Sequence, residues 1–315
     1  MVDEDSRGRW SDGAKVGMMQ SRSQALQEAY DWCEDITRRR ARNFYYGLKL
    51  SPEPQRSALY GVYAWMRHAD DIVDDAPDGP DAARTELAAF RERTMEAIDA
   101  ARTPAEPLWC VIRDVTRRFS LDRSLLHDML DGQLADLDWQ PYETMDELER
   151  YCYQVAGTVA LACVEIWGYE DVSTRQLAID RGIAFQLTNI LRDFREDFDD
   201  ERVYLPGAAF REHSLTAREL RDWSHPDACR RFIQAHVDRA AALYAKSASL
   251  EGRINPSCRP TLWAMTRIYR NILRKIEQHP AQIVSARRVR LNGLHKGVIA
   301  IRARWQQRLA REVVS

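Results

Sequence analysis

Two stretches of helical period, Tyr60–Asp75 (YGVYAWMRHADDIVDD) and Gln186–Pro206 (QLTNILRDFREDFDDERVYLP), each carry aspartates one turn apart with an arginine nearby. On a helix turning roughly 100° per residue, Tyr63, Arg67, Asp70 and Asp74 fall within about 60° of arc. Gln186, Asn189, Asp193 and Asp197 fall within about 80° on theirs. Carboxylates at i and i+4 with no lysine between them repel each other, so a fold that keeps both pairs must meet their charge with something else. Taken singly, the first stretch is also compatible with a surface ion pair of Arg67 with Asp70 or Asp71. The second is equally compatible with a solvated acidic helix end. Two such platforms, roughly 120 residues apart, point instead to two helices facing each other across a bundle. Each platform suits a hard divalent cation that keeps phosphate oxygens as further ligands, and Arg67 and Arg192 can add charge-assisted bonds to the same anion.

The rest of the chain reads as all-α. Gly and Pro cluster at breaks such as Ser51-Pro52, 76–80, Thr103-Pro104, Gln140-Pro141, Pro206-Gly207 and Asn255-Pro256, with 3.6-residue periodicity between them and no alternating strand. Residues 1–20 have little apolar period and are expected to be a disordered lead-in, with residues 21–315 forming a single domain. A net charge of −2 gives no reason to expect nucleic acid. No apolar run reaches the length of a membrane span and no signal-peptide core is visible, so a cytoplasmic protein is expected. The six cysteines lie scattered without a CxxC pair, which argues for reduced thiols over zinc or disulfides.

Two further stretches carry expectations. Tyr151–Gly168 (YCYQVAGTVALACVEIWG) is apolar almost all round and reads as one buried central helix. Its small residues Ala156, Gly157, Ala160 and Ala162 admit either a neighbouring helix or a long apolar ligand, and Glu165 within it should be paired. Near the C-terminus, Leu294, Val298, Ile301, Trp305 and Leu309 form an apolar stripe among basic residues, with no acid between Gln278 and Arg311. That stripe fits a helix docked on the core or a peripheral contact with anionic lipid.

Together, ADDIVDD, YCYQVAGTV and QLTNILRDFREDFDDERVYLP resemble the motifs of the squalene and phytoene synthase family, over Asn43 to about Arg290. The resemblance implies an isoprenoid-synthase helical bundle with a central apolar cavity and head-to-head joining of two prenyl diphosphates. It implies two or three Mg²⁺ ions at Asp70, Asp74, Asp193 and Asp197, with Asn189 and Gln186 beside the second motif. Arg67 and Arg192 match diphosphate-contacting positions, and Tyr151 matches a tyrosine implicated in proton transfer, for which released diphosphate is the alternative acceptor. Phe44, Tyr63, Tyr204, Tyr269 and Arg288 match pocket or diphosphate-side positions, and Val155, Val159 and Ala160 would line the prenyl tails. Ala160 stands where the family commonly has Gly, and Ala41 and Asn43 replace two serines. NFYYGLKL and VEIWGY resemble bacterial enzymes that make presqualene diphosphate or squalene for hopanoids. Farnesyl diphosphate is therefore the expected substrate, with phytoene or dehydrosqualene as the alternative product and NADPH use left open, as is the oligomeric state. A non-catalytic all-α scaffold is the reading from a different class.

Overall fold

The computed structural model describes residues 24–291 apart from 42, 75 and 78, together with 298, 299, 301–303 and 305; the side chains of Asn43, Phe44 and Tyr46 lie outside that set. The expected lead-in over 1–20 also lies outside the described residues. The elements run α1 (Gln24–Arg40), α2 (Asn43–Leu48), α3 (Gln55–Asp74), α4 (Pro80–Asp99), α5 (Pro107–Arg118), α6 (Arg123–Leu137) and α7 (Met145–Cys152). They continue as α8 (Thr158–Trp167), α9 (Ser173–Asp199), α10 (Gly207–Glu212), α11 (Ala217–Arg221), α12 (Pro226–Lys246), α13 (Leu250–Arg253) and α14 (Arg259–Gln278). The described residues contain no strand beyond the isolated bridge of Tyr169 with Ile254. Proline at the first turn of α4, α5, α12 and α14 starts these helices where its missing N–H costs nothing.

The apolar interior has two lobes. One gathers α1, α3, α5, α6 and α8 around Trp65, Tyr60 and Val111; the other gathers α7, α9, α12 and α14 around Phe194, Phe232 and Tyr244. Tyr153 and Ile179 pack against both, so the lobes meet where α9 passes the segment between α7 and α8.

That segment corrects the expectation of one continuous central helix. Tyr153–Gly157 is a π-turn, closed by Thr158 N–H donating to the Tyr153 carbonyl. The wider turn inserts one residue into the helical rotation, and such turns recur at functional sites. Here it brings α9 very close. A Cβ built on Gly182 would lie 2.5 Å from the Ala156 carbonyl oxygen and 2.7 Å from Gly157 Cα. Glu165 is paired as expected: it is 6% exposed, bonded to Arg175, and accepts from the Asp122 N–H at 3.1 Å.

The C-terminal stripe is turned the other way from a docked face. Ile299 and Ala303 are buried against Leu50 and Ala264. Val298, Ile301 and Trp305 are 64%, 71% and 66% exposed, and Leu294 and Leu309 lie outside the described residues. Ile299 and Ala303, four apart and one residue out of phase with the stripe, satisfy the core, which leaves the bulkier residues outward. Arg302 sits over the Trp263 ring at 5.5 Å.

Gly182→Ala is expected to cost at least about 2 kcal/mol of stability, because the new methyl meets backbone that cannot rotate away. Equilibrium denaturation measures it; an unchanged midpoint would mean α9 slides freely past the π-turn.

Candidate active site

An apolar cavity of about 240 Å³ lies between the two lobes. Tyr63 and Met66 of α3 line it on one side and Gln186 and Asn189 of α9 on the other, so these helices face each other across it. Val155, Val159 and Ala160 form part of its wall and Tyr269 another part, with Tyr269 stacked on Phe185 at 4.4 Å. Seven residues read from the sequence thus share one cavity. Met66 and Met265 also line it, and their flexible chains can yield to a longer ligand. The side chain of Phe44 lies outside the described residues.

Continuing along α3 and α9 past these lining residues, both aspartate pairs come within the last two turns of their helices, beyond one end of the cavity. A helix C-terminus carries partial negative charge, so four carboxylates there work against stability. Neither helix has a basic residue in its last turn to offset them. Burial pushes Asp70 up to about 6, aided by Asp74, Asp136 and Asp71 against the pull of Arg67. Burial likewise pushes Asp197 up to about 7, with Asp193 adding to it. Burial opposes ionisation at Asp193 too, but hydrogen bonds from Arg192 and Arg288 outweigh it and hold that carboxyl below the usual range. Arg192 reaches Asp193 with Nε at 2.7 Å, and Arg288 Nε donates to the same carboxylate at 2.5 Å.

On α3, Arg67 pairs chiefly with the flanking Asp71, while Asp74 is 3.4 Å and Asp70 3.7 Å from the guanidinium. Arg40 also bonds Asp71, at 2.5 Å. Asp71 thereby takes the cations, and Asp70 and Asp74 keep open oxygens.

The donor set fits a hard cation. Asn189 Nδ2 donates to Gln186 Oε1 at 3.2 Å, which leaves its Oδ1 buried with no hydrogen-bond partner, one turn from Asp193. A buried unsatisfied carbonyl oxygen is costly unless something binds it. Among the described residues no group of three or more His, Cys, Asp or Glu converges to hold a metal by itself. Each pair would therefore hold an ion whose other ligands come from water or an anion.

Tyr151 does not line the cavity. It is buried in a cluster with Tyr142 and Tyr204, stacked on Tyr204 at 5.4 Å, and its hydroxyl donates to Asp136 Oδ1 at 3.0 Å. Burial, then the Asp136 charge, pushes the Tyr151 phenol far above its ordinary value. Asp136, itself raised by burial, feels the field of Asp74 and contributes to that of Asp70, so it links the tyrosine cluster to the first aspartate pair. The sequence reading missed Asp136, although a signal exists. Leu125, Met129 and Gly132 are buried on α6, and Asp136 continues their four-three-four spacing with a carboxylate. Arg181 was also missed; it is 2% exposed at the cavity wall and bonded to Ser247, Thr266 and Glu251.

The all-α bundle thus combines an apolar cavity with carboxylate pairs and arginines towards the C-terminal ends of two of the helices that line it. The chain belongs to the squalene/phytoene synthase family, whose sequence profile matches residues 37–295. It is 36% identical over 269 residues to the 15-cis-phytoene synthase of Synechococcus elongatus, covering 81% of this chain and 86% of that one. Its fold matches a dehydrosqualene synthase solved with ligand (TM-score 0.77, 25% identity, 90% and 97% of the two chains). It also matches squalene synthase HpnC from Alicyclobacillus acidocaldarius (TM-score 0.75, 25% identity, 80% and 94%).

A carboxylate raised in the folded state costs stability once ionised. For Asp197 that cost is absent below the unfolded value near 4 and complete above about 7. Asp197→Asn is therefore expected to raise the melting temperature of metal-free protein at pH 8, with the gain shrinking towards pH 5. An equal gain at both values would show that the carboxylate is not strained.

Proposed function

We propose that this chain catalyses Mg²⁺-dependent head-to-head condensation of two prenyl diphosphates, with release of diphosphate. The observation that carries this reading is the cavity bounded by Tyr63 and Asn189, with Asp70 and Asp74 on one side and Asp193 and Asp197 on the other. Asp70, Asp74, Asn189, Asp193 and Asp197 would hold Mg²⁺, which when bound neutralises charge that develops on the leaving diphosphate. Arg67 and Arg192 supply further positive charge at the same end. Tyr63, Phe185 and Tyr269 present ring faces to the allylic cation, and the apolar wall excludes water. The cation attacks the double bond of the second substrate, and loss of a proton closes a cyclopropane. The released diphosphate takes up that proton, because neither Tyr151 nor its partner Asp136 lines the cavity in which the cation forms.

Chain length divides the readings. The curated relatives at 32–36% identity are phytoene synthases, which favours two C20 geranylgeranyl diphosphates and phytoene. The Ala160 methyl in the cavity wall favours C15 farnesyl diphosphate and presqualene diphosphate or squalene. Incubation with each substrate, Mg²⁺, and with or without NADPH, followed by product mass, decides between them. Absence of product under every condition would leave a non-catalytic scaffold. Ala160→Gly is expected to shift the ratio of specificity constants towards C20 by several-fold, at about 1 kcal/mol of helix propensity. An unchanged ratio would remove Ala160 from tail selection.

A hydrocarbon product must leave into lipid. No helix among the described residues is long and apolar enough to cross a membrane. The exposed Val298, Ile301 and Trp305 with Arg302 beside them suit peripheral contact with an anionic surface, to which each basic residue adds about 1 kcal/mol. Binding to anionic vesicles is expected to be salt-sensitive and to weaken in Arg302→Gln and Trp305→Ala. Equal binding by wild type and both variants at low salt would refute the contact.

A further inference from the structure

Beside the second aspartate pair, on the side away from the apolar cavity, lies an open cleft of about 1210 Å³. One wall is a single face of α14, where Asn271, Arg274, Lys275 and Gln278 occupy positions i, i+3, i+4 and i+7. The other is the segment Ser285–Leu291, which contributes Arg287, Arg288 and Arg290. Five permanent cations therefore line one cleft, against a single carboxylate, Glu196.

This wall is fixed in place. Ile283 and Val289 are each 1% exposed and anchor the segment to the core. Lys275 Nζ donates to the Arg290 carbonyl at 3.1 Å, and Arg195 donates to the Ser285 carbonyl at 3.1 Å, so both ends are tied to neighbouring helices. Among the described residues, Arg274, Arg287 and Arg290 have no carboxylate within ion-pair distance. Concentrating unneutralised like charge on a rigid frame costs folding energy, and a multivalent anion in the cleft removes that cost. Arg288 connects the cleft to the site already described: its guanidinium is bonded to Asp193 and lies 3.5 Å from Glu196.

We propose that this cleft is a binding site for a free diphosphate group, reached from the catalytic end past Arg288. Its assignment to diphosphate rests on the function proposed above, in which that anion is released beside Asp193. Guanidinium groups bind phosphate oxygens in paired hydrogen bonds, so several fixed arginines select a compact polyanion over chloride or a single sulfate. An anion leaving the aspartate pairs then moves towards increasing positive charge and away from four carboxylates, which favours its exit over recombination with the carbocation.

Calorimetric titration of the metal-free full chain with inorganic diphosphate tests this, because EDTA removes the ions that the aspartate pairs would need. Binding is expected in the wild type and should weaken at least about tenfold in Arg274→Gln/Arg290→Gln. Neither arginine is part of the aspartate site, and the melting temperature of the double variant without anion should be equal or higher. Equal affinity in the two proteins, no binding in the wild type, or sulfate binding as tightly as diphosphate at matched ionic strength would each overturn the site. A second arm identifies the source of the diphosphate group. NADPH that displaces inorganic diphosphate and is weakened by the same double variant assigns the cleft to a nucleotide, whereas NADPH without effect assigns it to the released product. Metal-free diphosphate binding in a chain that turns over no prenyl diphosphate would sink the proposed function and leave the cleft standing; turnover without such binding would do the reverse.

Discussion

Like-charge repulsion between carboxylates near the C-terminal ends of α3 and α9 is the constraint around which this molecule is arranged. Every local preference disfavours it: the helix dipole has the wrong sign there, the acids recur one turn apart, and burial raises Asp70 and Asp197. The surrounding structure limits the cost. Asp193 is neutralised by Arg192 and Arg288, and Arg67, bonded chiefly to Asp71, lies 3.4 Å from Asp74 and 3.7 Å from Asp70. What is left over is a demand for a cation, expressed as charge strain and as the buried, unsatisfied oxygen of Asn189.

Keeping a dry space between the two helices that carry these carboxylates requires stiffness elsewhere. The π-turn at Tyr153–Gly157 and the bare backbone of Gly182 let α9 lie directly against the central segment. Val155 and Val159, flanking that contact, are then free to line the cavity. A regular helix through Tyr151–Gly168 would rotate the residues after the turn, and Ala160 with them, relative to those before it. Close packing on one face of this segment and open space on the other therefore have a common origin.

Positive charge is distributed with equal economy. Arg181 is fully enclosed and satisfied by hydroxyl, carbonyl and carboxylate oxygens, so it acts as a structural cation at the cavity wall. Arg288 straddles the aspartate site and the basic cleft, and among the described residues the arginines beyond it have no carboxylate within ion-pair distance. Near the C-terminus Ile299 and Ala303 are buried, while Val298, Ile301 and Trp305 face outward. Charge and apolar surface that the fold does not consume internally are concentrated on the faces where an anion or a lipid surface can meet them.

Periodicity and local chemistry were enough to read much of this from the chain itself. The helical class, the breaks at Pro and Gly and the two acidic stripes all depend on neighbours within a turn or two, and those neighbours are written in order; that buried Glu165 needs a partner was equally legible, but its partners Arg175 and Asp122 come from other elements. Tyr63, Gln186 and Asn189 were recognisable for the same reason, each lying one or two turns from an aspartate pair, whereas Tyr269 followed only from the family resemblance. Other features depended on contacts between residues far apart in sequence. Asp136 looks like one more surface acid in a run of acids until α6 is packed and its place on the buried face puts it between Tyr151 and Asp74. The π-turn differs from an α-turn by one hydrogen-bond register, which no side-chain pattern encodes. The outward turn of Val298, Ile301 and Trp305 was settled by the packing of Ile299 and Ala303 against Leu50 and Ala264. Hydrophobic period identifies a stripe, but only the opposing surface determines which stripe is buried.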